Sequence, residues 1–248
     1  MRKIVSILFL LSFFKFSYSQ EYPIEVQKLI KAYPNFEMSY QNNFLILKDN
    51  TYLKYKDCNN NSDNQPCITE IFKYPYPKGK VNPPQQGEDP GRIRNEELMK
   101  SMYGHNSVEV QRNLVSITWC PNLVGSKIKI TKINNVHLQL QKVSDELDKH
   151  PELKQYLLNA STFNWRIISG TNRLSTHSFG TAIDLNVKYS NYWQWDCRCK
   201  NESTVLKYKN QIPQMIVEIF EKYGFIWGGK WYHYDTMHFE YRPELLID

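Results

Sequence analysis

Two short stretches, far apart in the chain, each set a histidine close to an acid, and any fold of this chain must answer for them. The first is Ser175-Thr176-His177-Ser178-Phe179-Gly180-Thr181-Ala182-Ile183-Asp184, and the second is Asp235-Thr236-Met237-His238-Phe239-Glu240. A catalytic zinc site takes three protein ligands and keeps one position open for water. His177 and Asp184 are seven residues apart, with Gly180 between them, and glycine permits the tight turn that would bring them together. If Ile183 and Leu185 face a core, the two-residue period of a strand turns Asp184 the other way, back toward His177. The third ligand must come from elsewhere, and His238 qualifies by opening a short strand after a loop. Asp235, three residues earlier, is then expected beside the metal as a general base and not as a ligand. Spacing alone is a modest signal. A single histidine is more often structural, and this quartet is less specific than an H-E-x-x-H helix.

The N-terminus sets the expected compartment. Arg2 and Lys3 precede an apolar run from Ile4 to Phe14, and Ser17-Tyr18-Ser19 offers small residues where a signal peptidase cuts. Residues 1–19 therefore read as a signal peptide, cleaved before Gln20, and the protein as exported to the periplasm or beyond. The run falls short of the roughly 20 residues that span a bilayer, so no membrane attachment is expected after cleavage. The net charge is +6, and the leader holds three of those cations (Arg2, Lys3, Lys15) and no acid, leaving about +3. That mild balance, without a basic stripe, argues against a nucleic-acid partner and suits loose attraction to an anionic wall. The chain has five cysteines. Cys58 and Cys67 bracket an Asn-rich loop and can close it. For the others, a bridge from Cys197 or Cys199 to Cys120 is favoured over a metal role for Cys197-Arg198-Cys199.

Between 74 and 92 the chain has five prolines and three glycines. Proline at that density removes backbone donors and blocks regular structure, so this stretch reads as an extended connection. It separates an N-terminal segment, residues 20–88, from a main domain, residues 89–248. Before it, Ile24–Ala32 has weak helical patterning, and Phe44–Leu47 and Tyr52–Tyr55 read as strands around a turn. After it, Asn95 caps a helix over Glu96–Tyr103 that Gly104 stops. Leu114–Trp119 and Lys127–Ile133 alternate as strands, and Val136, Leu140, Val143 and Leu147 mark a helix. A further helical piece is expected over Glu152–Leu158, with strands over Phe163–Ser169 and Ala182–Val187. The last helix starts at Asn210 to Pro213, carries Ile212, Ile216, Ile219, Phe220 and Tyr223, and ends at Gly224. Phe225–Trp227 and His238–Tyr241 close the fold as strands. Helices and strands mix without βαβ alternation, which is an α+β pattern, with a small, mostly antiparallel sheet and flanking helices.

The pattern S-x-H-x-x-G-x-A-x-D over Ser175–Asp184 resembles the first zinc motif of the D-alanyl-D-alanine carboxypeptidase family, which includes phage L-alanyl-D-glutamate peptidases. D-x-x-H-F-E over Asp235–Glu240 resembles the second, and Trp227-Gly228-Gly229-Lys230-Trp231 is also similar. The resemblance covers roughly Phe163 to Leu246. It implies a Hedgehog/DD-peptidase fold, a single Zn2+, His177, Asp184 and His238 as ligands, Asp235 as base, and peptidoglycan peptides as substrates. It also implies an arginine upstream of the first motif that holds a substrate carboxylate or polarises the scissile carbonyl. Arg166 and Arg173 compete for that role, with Arg166 preferred because a strand would fix it. Ser175 either contacts substrate or caps the turn, and Glu240 either supports His238 from behind or forms a salt bridge. His233 is expected along the cleft and not as a ligand, and the aromatic group Tyr189, Tyr192, Trp193 and Trp195 either walls the cleft or, as such clusters more often do, serves packing. The same fold in Hedgehog domains keeps zinc without established peptidase action, so a non-catalytic zinc-containing binding module is the alternative.

Overall fold

The computed structural model describes residues 21–58, 65–80 and 82–247, and the leader expected over residues 1–19 lies outside them. Among the described residues, strands fall into three antiparallel sheets. The first is a meander of β1 (Ser39–Gln41), β2 (Phe44–Ile46) and β3 (Tyr52–Lys54). The second is a hairpin of β4 (Leu114–Trp119) and β5 (Ser126–Thr131), with Ile117 opposite Ile128. The third contains β6 (Ala182–Asp184), β7 (Phe225–Trp227) and β8 (His238–Tyr241), with β8 in the middle. The α-helices are α1 (Ile24–Ala32), α2 (Ile68–Ile71), α3 (Glu96–Tyr103), α4 (Ser107–Arg112), α5 (Val136–Leu147), α6 (Lys154–Leu157), α7 (Trp193–Cys197) and α8 (Gln214–Lys222). The architecture is α+β.

Local chemistry accounts for the clearest elements. The Asn95 side chain accepts from the Leu98 N–H at 2.8 Å, satisfying one of the free donors at the start of α3. Gly104 ends that helix at φ +129°. In α5 the stripe Val136, Leu140, Val143 and Leu147 is wholly buried, and the helix packs on β4, β5 and α8. Helix α8 buries Ile216, Val217, Ile219 and Phe220, and it opens one turn later than the start expected at Asn210, with Pro213 as its cap residue. Phe220 stacks on Phe239 of β8 at 4.0 Å and meets Trp119 and Phe225. One apolar cluster runs from Val26 in α1 to Leu245 near the C-terminus.

Two expectations fail. Phe163–Ser169 is not a strand: only Ser161 and Ile167 form isolated bridges, to Asp184 and Leu174. The Ser178 hydroxyl bonds the Arg166 N–H and C=O at 2.9 and 3.0 Å, and the backbone bonds between residues 164–168 and residues 173–177 are scattered single ones that form no ladder. The cysteines also pair differently. Cys58–Cys67 forms as expected, but Cys197 bonds Cys199 and Cys120 stays free and buried. Cys120 lies behind α5, where its N–H donates to Ser144 Oγ at 2.7 Å. Burial pushes its thiol up to about 12.

Residues 74–80 and 82–92 are extended, with turns and bends, and they bond to the third sheet and the turn beside it through Tyr76 and Pro90. The Tyr76 hydroxyl accepts from Trp227 N–H at 2.9 Å and donates to Glu221 at 2.8 Å. The buried Lys230 ammonium bonds the Pro77 and Gly79 carbonyls and Glu221. Phe220 is the hub where α8, β4, β7 and β8 meet. Replacing it with alanine leaves a cavity among rings, so Phe220→Ala is expected to cost about 3–5 kcal/mol in urea unfolding, and a loss below about 1 kcal/mol would contradict this packing.

Candidate metal centre

Residue Asp184 is brought to His238 by sheet register. In the β6–β8 pairing Asp184 faces His238, Ile183 faces Phe239 and Ala182 faces Glu240. Since side chains alternate along a strand, Ile183 and Phe239 enter the core while Asp184, His238 and Glu240 share the opposite side. His177 arrives on a 3-10 turn, Thr176–Phe179, that leads into β6. Ser175 Oγ accepts from the His177 N–H at 3.3 Å, so Ser175 caps this turn. Gly180 ends it at φ +64°, and a Cβ there would meet Leu114 Cδ2 at 2.6 Å. Both the backbone region and the close approach require glycine.

These elements converge three donor atoms. His177 Nε2 is 3.2 Å from His238 Nδ1 and 3.0 Å from Asp184 Oδ1, and His238 Nδ1 is 3.0 Å from the same oxygen. Donors at about 2.0–2.1 Å from a tetrahedral zinc stand roughly 3.3 Å apart, so the triangle fits a metal of that size. The tautomers fit as well. His177 Nδ1 is 2.5 Å from the Thr162 carbonyl, which can only accept. Its proton therefore sits there, and the Nε2 lone pair faces inward. His238 Nε2 is 3.0 Å from Glu240 Oε2, which leaves Nδ1 to face inward. Metal-ligating histidines are held from behind in this manner.

Electrostatics agree with the geometry. The Asp184 carboxyl is held well below the usual range, because hydrogen bonds and charge from His177 and His238 outweigh burial. Burial works against a charged His238 ring, but hydrogen bonds to Asp184 and Glu240 take it up to about 10. The protein thus favours an extra positive charge at this spot, which is the preference that a bound cation satisfies. Glu240, fully buried, stays well below the usual carboxylate range despite that burial, through Arg94 and then His238. It is no surface salt bridge.

Asp235 stands at the edge of this triangle. Its N–H donates to the Gly228 carbonyl at 3.0 Å, and its own carbonyl accepts from His238 N–H at 3.2 Å. A Cβ at Gly228 would lie 2.6 Å from that carbonyl, so the turn can close this tightly only on glycine. Asp235 Oδ1 is buried and has no hydrogen-bond partner among the described residues. Burial, then the nearby Asp184 charge, pushes the carboxyl up to about 6. A buried carboxylate oxygen without a partner is costly in a structural role and suits an atom reserved for a ligand or a proton.

The two arginines separate. Arg166 is exposed, and its charge is felt at Asp235. Arg173 sits instead by Arg94 and Arg92, and its guanidinium is lowered by burial and then by those two charges. His233 is not a ligand: its ring nitrogens meet Asp89 Oδ2 at 2.7 Å and the Glu202 carbonyl at 2.9 Å. Of the aromatic group, Trp193 is buried against His233 and Tyr189 packs on Tyr156. Tyr192 pairs with Asp235 through a backbone bridge and contacts the exposed Trp195. The sequence reading missed Thr162, Thr176, Arg94 and Arg242. Thr162 acts through its backbone carbonyl, which no residue type reveals. Thr176 was visible inside the first motif, and its hydroxyl donates to Glu240 Oε2 at 3.1 Å. Arg94 lies 146 residues from its partner Glu240, with no pattern to link them.

Residues 169–241 match the family model described as D-alanyl-D-alanine carboxypeptidase. The chain resembles that family of zinc peptidases. The match includes His177, Asp184, His238 and Asp235, and it covers less than a third of the chain. No curated protein and no solved structure matches the chain. The family match supports a peptidase, with His177, Asp184 and His238 as a possible metal site. Zinc-loaded protein passed through a desalting column is expected to keep about one equivalent of metal, and His177→Ala or His238→Ala less than about a tenth. Atomic absorption reads the difference, and a full equivalent in both variants contradicts this ligand set.

Proposed function

We propose that this chain is an exported zinc peptidase that hydrolyses peptide bonds in the stem peptides of peptidoglycan. The observation that carries the reading is Asp235 Oδ1, buried and unpartnered, beside three converging ligand atoms. Zinc, when bound by His177, Asp184 and His238, would supply Lewis acidity toward the scissile carbonyl and make water a better nucleophile near neutral pH.

The chain's own residues supply the rest. Asp235 takes a proton from the attacking water and passes it to the leaving amine nitrogen, and a carboxyl near 6 is suited to both transfers at neutral pH. Arg166 is assigned to the developing negative charge on the carbonyl oxygen, because its charge reaches Asp235 from an exposed position. Arg173 is assigned to a more distant part of the substrate, beside Arg94. Ser175 contributes by holding His177, and Glu240 by holding the outer nitrogen of His238.

Export rests on the basic and apolar pattern of residues 1–19. No helix among the described residues is long and apolar enough to cross a membrane. Peptidoglycan as the substrate rests on the family match.

Purified muropeptides incubated with the zinc-loaded protein should lose a residue or a stem fragment by mass spectrometry. Asp235→Asn should lower turnover by about 10²–10⁴-fold while keeping its zinc and its melting temperature within a few degrees. Unchanged turnover in Asp235→Asn rules out the base. A wild-type protein that holds zinc and cleaves no muropeptide favours the non-catalytic binding module.

A further inference from the structure

The matched segment, residues 169–241, does not complete its own metal site. Glu240 holds His238 from behind, and Glu240 is itself held by a residue far upstream. Arg94 Nε is 3.0 Å from both Glu240 oxygens, and Nη2 is 2.5 Å from Oε2. The guanidinium lies over the Trp231 ring at 5.5 Å, and its Nη1 also donates to the Arg92 carbonyl at 3.2 Å. Arg94 is thus oriented on three sides. Arg242 adds one bond to Oε1 at 3.1 Å from the far side. Of the two guanidiniums, Arg94 alone reaches Oε2, the oxygen that bonds His238 and Thr176.

The segment that carries Arg94 is fastened to the turn that carries Asp235. The Pro90 carbonyl accepts from Trp231 Nε1 at 2.8 Å, the Glu88 carbonyl accepts from Tyr232 N–H at 2.9 Å, and Asp89 Oδ1 accepts from His233 N–H at 2.9 Å. The Gly91 carbonyl accepts from Arg242 Nη1 at 3.1 Å. Four consecutive residues, Glu88 to Gly91, therefore each contact the stretch between Trp231 and Arg242.

We propose that Arg94 is a positioning residue for the metal centre, and that the segment 88–94 works as part of that centre by aiming Glu240 at His238. A fork of N–H groups fixes both the position and the plane of a carboxylate. With the fork present, Glu240 Oε2 stays in line with His238 Nε2, and Nδ1 stays directed at Asp184 and His177. Without it, Glu240 can turn toward Arg242 and the ring loses its outer support. The inference rests on the metal reading above, but it is tested by metal affinity and needs no substrate.

Zinc affinity is measured by competition with a chromogenic chelator for wild type, Arg94→Met, Glu240→Gln and the double variant. Methionine keeps much of the side-chain length against Trp231 and removes the fork. The expected result is a loss of about 10–100-fold for each single variant, as for other groups that support a ligating histidine. The double variant should be no weaker than Glu240→Gln alone, because Arg94 acts through Glu240. Arg94→Lys should recover affinity only in part, since a point charge does not restore the fork. Should Arg94→Met fail to fold, Arg94→Lys with Glu240→Gln carries the same comparison. Zinc affinity within about twofold of wild type in a folded Arg94→Met, or losses that simply add in the double variant, would overturn the proposal. A wild-type chain that binds no zinc overturns the metal reading itself.

Discussion

The pairing of β6 with β8 is the constraint on which the rest of the site depends. It sets Asp184 opposite His238 and, by alternation, sends Ile183 and Phe239 into the core. A slip of one residue would exchange the two sides and bury the ligands among aromatic rings. The stack of Phe239 on Phe220 resists that slip, because it ties the register of the central strand to α8. The core and the metal centre are therefore two faces of one short sheet. His177 joins them through a turn that needs Gly180, whose carbonyl is bonded by the Thr131 N–H of β5 at 2.9 Å. The hairpin of the second sheet thus braces the ligand turn of the third.

Charge is the second organising principle. Asp184, Asp235 and Glu240 lie within a few residues of one another in space, and burial raises the cost of ionising each of them. Three different answers are found. Asp184 is stabilised by two imidazoles, Glu240 by Arg94, His238 and Arg242, and Asp235 by nothing that offers its Oδ1 a hydrogen bond. The contrast gives three carboxylates three environments, matching the separate parts proposed for them as ligand, support and base. The supports extend further than the site. His238, Glu240, Arg242, Glu244 and the Tyr33 hydroxyl form one chain of hydrogen bonds, which reaches the residue that follows α1. The N-terminal segment shares both the apolar cluster and this buried polar chain with the residues that carry the ligands.

Much of this was legible in the sequence, and the failures have physical causes. Helices α3 and α5 were readable because Asn95 and Gly104 punctuate one and a clean apolar stripe marks the other. The gathering of His177, Asp184 and His238 was readable because metal chemistry limits which side chains can serve, and their donor atoms do converge. Helix α4 was not anticipated: it buries only Val110, so it has no stripe to read. Phe163–Ser169 looked like a strand because its residues suit one, yet it faces an irregular turn, residues 173–178, which gives it scattered backbone bonds and the Ser178 hydroxyl in place of a ladder. Cys58–Cys67 was read correctly, but the bridge expected to Cys120 failed since sequence gives no distances: Cys120 is enclosed near Ser144 while Cys197 and Cys199 close on each other. Arg94 could not be found from any local pattern. Its place beside Glu240 depends on contacts distant in sequence, such as those of Pro90 with Trp231 and of Gly91 with Arg242.

The central claim is that two imidazoles and one carboxylate hold the metal, and X-ray absorption at the zinc edge of the loaded protein tests it most directly. The account predicts two histidine rings in the scattering pattern, with nitrogen and oxygen neighbours at about 2.0–2.2 Å. A sulfur shell at about 2.3 Å, as Cys197 and Cys199 would give once reduced, or the absence of imidazole scattering, would contradict it.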